Sequence, residues 1–177
     1  QHDDFAATKD QRNVGELAIL ESLQPDFARA EQVPSSDARI KVDYISYSSP
    51  KGSGTLRGYL ARPAKATGKL PGSVVVHENR GLNPYIEDVA RRLAVEGYIA
   101  FAPDALSPLG GYPGDEDKAR ELWAKLDATK RSEDMVAAAE YLDARTDTAK
   151  IGAVGFCYGG GVCNLLALVR WHGRPAG

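Results

Sequence analysis

Five consecutive residues, Gly155-Phe156-Cys157-Tyr158-Gly159, set a thiol between two glycines in the spacing G-x-C-x-G. This is the cysteine form of the nucleophile elbow, a sharp strand-to-helix turn that lifts one nucleophilic side chain above a sheet. The residues two before and two after the nucleophile press against neighbouring backbone and must be small, as Gly155 and Gly159 are; Gly160 and Gly161 extend that freedom. A thiol at a helix start also lies beside unpaired N–H groups and the positive end of the helix dipole, which favour thiolate. The bland alternative is a small buried cysteine in a glycine-rich loop. A phosphate-binding loop is excluded, because no G-x-G-x-x-G is present and no Gly-Lys-Ser/Thr follows.

An elbow needs a strand before it and a helix after it, and the pattern supplies both. The apolar run 151–155 predicts the strand and residues 158–169 the helix. Upstream, alternation through Ile40, Val42, Tyr44, Ile45 and Tyr47, then residues 56–62, predicts an antiparallel hairpin. Residues 65–72 read as a loop. Ser73-Val-Val-Val-His77 is a continuous β-branched run of the kind buried on both faces of a central strand. Asn83-Pro84 starts a helix to about Glu96, with Ile86, Val89, Ala90, Leu93 and Ala94 on its apolar face and Glu87, Asp88, Arg91 and Arg92 on the polar one. Residues 98–103 are the next buried strand. Residues 104–114, rich in proline and glycine, form a loop over its end, and two helices follow over about 115–126 and 131–145. A hairpin followed by alternating strands and helices specifies an α/β fold with a mostly parallel sheet and right-handed crossovers.

The N-terminal 38 residues read as an extension, helical over about 11–30, ahead of one α/β domain over 39–177. Ala28-Arg29-Ala30 resembles a cleavage site, but the run before it is short and carries Glu16 and Glu21, so a cytoplasmic location is favoured over export. A net charge of −2 gives no field for nucleic acid, and no apolar run is long enough to span a bilayer. Neither partner is expected. Cys157 and Cys163 are too few and too poorly placed for a disulfide framework. His2, His77 and His172 lack ligand spacing, so no metal and no cofactor is expected.

In this order the chain resembles the α/β-hydrolases and, among them, the dienelactone hydrolase family. The resemblance rests on Val75-Val76-His77-Glu78-Asn79-Arg80-Gly81-Leu82, on residues 90–98, on Ala102-Pro103-Asp104, and on Gly155-Phe156-Cys157-Tyr158-Gly159-Gly160 with cysteine in place of serine. It covers about residues 39–164. It implies a small-molecule ester or lactone substrate, Cys157 as nucleophile, and Glu78 as the carboxylate that interacts with the resting thiol. It also implies an oxyanion hole made by the backbone N–H groups of Tyr158 and Asn79. The superfamily's sheet order would place the Val75 strand beside the Ile151 strand, bringing Glu78 and Cys157 to one edge.

Two departures matter. Family members carry an arginine shortly after Pro-Asp that helps bind a substrate carboxylate, whereas here Ala105, Leu106, Ser107 and Pro108 follow, which argues against an anionic lactone. Triad partners in the superfamily follow the nucleophile as Asp, then His; no aspartate follows Cys157, and His172 would lie roughly 20 Å away along the helix. His77, at a strand end, is the other candidate base. The expectation is an α/β-hydrolase-like domain lacking its C-terminal strands and helices, with impaired turnover. The competing expectation is a non-catalytic remnant that binds a partner or self-associates through its uncovered sheet edge.

Overall fold

A computed structural model describes residues 31–172, with side chains described as far as Val169. The expected helix over 11–30 and the Ala28-Arg29-Ala30 stretch lie outside the described residues.

The hairpin forms as expected from β1 (Ile40–Ser49) and β2 (Gly54–Pro63), antiparallel with Tyr44 opposite Tyr59. β3 (Leu70–Val76), α1 (Pro84–Val95), β4 (Ile99–Pro103), a 3-10 turn (Ser107–Leu109), α2 (Glu116–Trp123), α3 (Ala128–Asp143), β5 (Thr148–Gly155) and α4 (Tyr158–His172) follow. The sheet order is β1-β2-β4-β3-β5. β4 meets the hairpin antiparallel through β2, while β3 runs parallel to both β4 and β5. The sheet is therefore mixed, with a parallel core, and the β3 and β5 strands are neighbours as the sheet-order argument requires.

Period-two alternation sorts the side chains into two cores. Val74, Val76, Ile99 and Phe101 pack on one face with Met135, Leu142, Val162 and Leu166 of α3 and α4. Val75, Ala100 and Ala102 pack on the other with Ile86, Val89 and Ala90 of α1. Val74, Val75 and Val76 are fully buried, as a strand covered on both faces must be.

Two readings of the sequence need correction. β3 begins at Leu70 rather than Ser73, because Leu70 N–H donates to Asp147 O at 2.9 Å and Gly72 fits between Thr148 and Ile151, where a Cβ would come within 3 Å of each. The register irregularity between Leu70 and Gly72 absorbs Pro71, which cannot donate to the ladder. Asp88 and Arg91 are buried rather than solvated. The segment 31–33 crosses that face of α1: Asp88 Oδ1 accepts from Gln32 and Val33 N–H at 3.1 and 2.9 Å, and Arg91 Nε donates to the Val33 carbonyl. Arg91 also pairs with Glu31 at 2.8 Å.

Candidate functional site

The elbow is built by close backbone contact. The parallel ladder of β3 and β5 pairs Val76 with Gly155 and continues one residue further, Phe156 N–H donating to Val76 O at 3.1 Å. The chain then reverses at Cys157, whose φ of 52° makes it the only non-glycine residue in the left-handed region among the described residues. Gly159 N–H donates to Phe156 O at 2.8 Å and Gly160 N–H to Cys157 O at 3.0 Å, closing the turn into α4. A Cβ on Gly155 would lie 2.1 Å from Gly159 O, and one on Gly159 would lie 2.3 Å from Val76 O. The steric rule read from the pentapeptide therefore holds at both positions. It does not extend to Gly160 and Gly161, where a Cβ would meet nothing within 4 Å.

Cys157 is exposed at the C-terminal edge of the parallel strands, whereas Cys163 is half-buried in the first turns of α4 with its Sγ against Gly155. Burial pushes the Cys163 thiol above its ordinary range. Glu78 leaves the same edge two residues after Val76, as Cys157 does two residues after its ladder partner Gly155. Its carboxylate Oε1 accepts a 2.7 Å hydrogen bond from Asn83 Nδ2. Asn83 is buried and also caps α1, its Oδ1 accepting from Ile86 N–H at 3.1 Å, so one side chain fixes both the helix start and Glu78. Arg80 does not neutralise Glu78. Its Nε lies 2.8 Å from Glu116 Oε2, off the N–H axis, as an ion pair rather than a hydrogen bond.

Asn79 lies in the turn closed by Gly81 N–H to Glu78 O at 3.4 Å, with Gly81 at φ 78°. Tyr158 opens α4, and an N–H at that position has no intrahelical acceptor. Asp104, buried at the end of β4, accepts from the N–H groups of Leu106 (3.0 Å) and Leu82, tying the β4 loop to the loop that carries Glu78 and Asn79. Desolvation pushes its carboxyl up to about 6.

His77 is fully buried, and both its ring nitrogens are engaged. Nδ1 lies 2.6 Å from the Glu78 carbonyl, which can only accept, and Nε2 accepts from Ala105 N–H at 3.1 Å. These partners select the Nδ1–H tautomer, and desolvation holds the imidazole neutral, its pKa lowered to about 4. No lone pair remains for a substrate proton, so His77 is not placed to act as a replacement base. His172 closes α4, with its backbone roughly 20 Å along the axis from the elbow.

Two supports of the site were not legible in the motifs. Asn83 signalled only a helix start, and its bond to Glu78 spans a loop. Around Tyr158, Trp123 packs edge-on at 4.7 Å and Arg131 lies 4.1 Å from the Trp123 ring centroid, although α2 and α3 carry no motif. Among the described residues no cluster of His, Cys, Asp and Glu could hold a metal ion, and no helix is long and apolar enough to cross a membrane.

A parallel-cored sheet with helices on both faces and a strand-elbow-helix at the carboxyl end of β5 defines an α/β-hydrolase, and solved esterases share this fold. Within that class the chain belongs to the dienelactone hydrolase family, whose model matches residues 56–172. It is 60% identical over 113 residues to the Escherichia coli K12 protein named "Putative hydrolase fragment YghX", covering 64% of this chain and 97% of that one. It is 31% identical to the Methylorubrum extorquens protein named "Putative carboxymethylenebutenolidase", over 90% of this chain and 60% of that protein. The solved structure "m3DLH" superposes with a TM-score of 0.61 at 32% identity, over 73% of this chain and 54% of that one. The chain thus spans little more than half the length of these last two relatives.

Proposed function

We propose that the chain carries the acyl-accepting half of a dienelactone-hydrolase-like ester or lactone hydrolase, with Cys157 as nucleophile. The observation that carries this reading is the exposed Cys157 thiol, held at φ 52° on a turn where Gly155 and Gly159 admit no side chain. The Cys157 thiolate attacks the ester carbonyl carbon and a C–S bond forms. The tetrahedral oxyanion is met by the N–H groups of Tyr158 and Asn79, the C–O bond breaks as it collapses, and the alkoxide or phenolate leaves, an alkoxide taking its proton from solvent water. Glu78, restrained by Asn83, is the carboxylate that leaves the same strand edge as the thiol.

Release of the acyl group needs a base to activate water, a contribution of roughly a hundred- to ten-thousand-fold. The 177 residues offer no aspartate after Cys157, and His77 has no free nitrogen. By itself the chain therefore acylates without turning over. With 4-nitrophenyl acetate it gives at most one equivalent of 4-nitrophenolate in a burst that Cys157→Ala abolishes, then negligible release. Sustained turnover lost in Cys157→Ala would refute the missing-base argument and implicate a histidine from a second copy. Sustained turnover that survives the substitution would refute the nucleophile assignment.

A further inference from the structure

The first turn of α4 is Tyr158-Gly159-Gly160-Gly161, so Tyr158 supplies its only side chain. Each glycine weakens a helix by roughly 1 kcal/mol relative to alanine, and the residue before Tyr158 stands in the left-handed region. Such a turn persists only where its surroundings over-determine it. Beside the backbone bonds of Gly159 and Gly160, the Tyr158 side chain is the one side chain of this turn that can do so, and its contacts are specific. Arg131, near the start of α3, lies 5.0 Å from the Tyr158 ring centroid and 4.1 Å from that of Trp123, the last residue of α2. The Trp123 and Tyr158 rings meet edge-on at 4.7 Å, and Trp123 meets His77 edge-on at 5.8 Å. No carboxylate lies within ion-pair distance of Arg131 among the described residues. Arg131 Nε and Tyr158 Oη are both buried, and the Arg131 charge acts directly on the Tyr158 hydroxyl. A guanidinium kept in this position serves the rings it lies over.

We propose that Arg131 is a positioning residue for acyl transfer: by clamping the Tyr158 ring against Trp123 it fixes the otherwise glycine-only start of α4, and with it the Tyr158 N–H that meets the oxyanion. This rests on the reading of Cys157 as nucleophile and Tyr158 N–H as oxyanion donor. The role differs from one in folding because it bears on one reaction of the thiol and not on another. Attack on an ester builds an oxyanion that needs the N–H in place, whereas displacement of iodide from iodoacetamide builds none.

The test compares two rates at Cys157 in the full chain, on a Cys163→Ala background so that only one thiol reports: the 4-nitrophenyl acetate burst and alkylation by iodoacetamide. Arg131→Met, which keeps a long apolar stem without the planar cation, is expected to slow the burst about tenfold, a part of the hundredfold or more attached to a whole oxyanion donor. Alkylation is expected to stay within about twofold, and Arg131→Lys, which keeps a cation over the rings, to recover part of the burst rate. Equal loss of both rates would make Arg131 merely structural, and an unchanged burst in Arg131→Met would overturn the proposal outright. If the parent chain gives no Cys157-dependent burst, the nucleophile reading falls and this proposal with it. A normal parent burst with insensitive variants sinks this proposal alone. Should Arg131→Met fail to fold, the comparison is made on Arg131→Lys, where equal loss of both rates or loss of neither overturns the proposal.

Discussion

Cys157 holds a backbone conformation that costs an L-residue roughly 1–2 kcal/mol and a glycine almost nothing. That cost is part of what lifts the thiol clear of the sheet. Cys157→Gly is therefore expected to be more stable than Cys157→Ala by about 1 kcal/mol in urea unfolding, despite the greater freedom glycine gives the unfolded chain. Equal midpoints would mean that the turn is not strained. The same residue should react first: Cys157 is exposed while Cys163 is half-buried with its thiol pushed up by desolvation, so iodoacetamide labels Cys157 faster. Glu78→Gln should change the rate of that labelling, because Glu78 and Cys157 leave the same edge of the neighbouring strands β3 and β5. Labelling of the two cysteines at equal rates would defeat the first expectation, and an unaltered rate in Glu78→Gln would show that Glu78 and the thiol do not interact.

The elbow was legible as an element because its requirements are local. Two glycines, a nucleophile and a following helix sit within one short stretch of chain, and the structure gives each glycine a different reason. At Gly159 a Cβ would lie 2.3 Å from Val76 O, a backbone atom that cannot move without breaking the β3–β5 ladder. At Gly160 a Cβ would meet open space. Neighbouring substitutions should thus differ in sign. Gly159→Ala is expected to destabilise by about 2 kcal/mol or more, and Gly160→Ala to stabilise by about 0.5–1 kcal/mol through helix propensity. Chemical denaturation of the two variants checks this, and two changes of the same sign would mean that the first turn is set otherwise. What stayed illegible at this scale is non-local. Asp88 and Arg91 fit the polar face of α1 by spacing, yet they are buried because residues 31–33 return across that face from more than fifty residues away in sequence. Likewise Asn83 reads as a cap, and nothing in its neighbours announces that its amide also holds Glu78.

Across the whole molecule, two buried titratable groups on the loops around the site pull stability in opposite directions with pH. His77 takes a proton at 6.5 when unconstrained but only at about 4 in the folded chain, so between those values the unfolded state binds the extra proton. Its contribution is present above 6.5 and is lost as pH falls towards 4, a change of about 3 kcal/mol. Asp104 is the reverse. Its ordinary value of 3.8 rises to about 6 on burial, so the folded state holds the extra proton in that interval. Its contribution is complete below 3.8 and is lost as pH rises through 6, again by about 3 kcal/mol. Over pH 4–6 the two slopes nearly cancel, and removing one exposes the other. Relative to the parent chain, His77→Gln should gain stability as pH falls from 6 to 4, whatever constant offset the lost imidazole bonds impose. Asp104→Asn should lose stability over the same interval. Urea unfolding at several pH values reads both slopes as differences from the parent, so that carboxylates such as Asp37 and Asp127, whose lowered pKa values act at more acid pH, drop out. A His77→Gln profile parallel to the parent would mean that the imidazole is protonated in the folded chain at the same pH as in the unfolded one. Its ring would then be free to exchange a proton at the site, and the case against His77 as a base would fail with it.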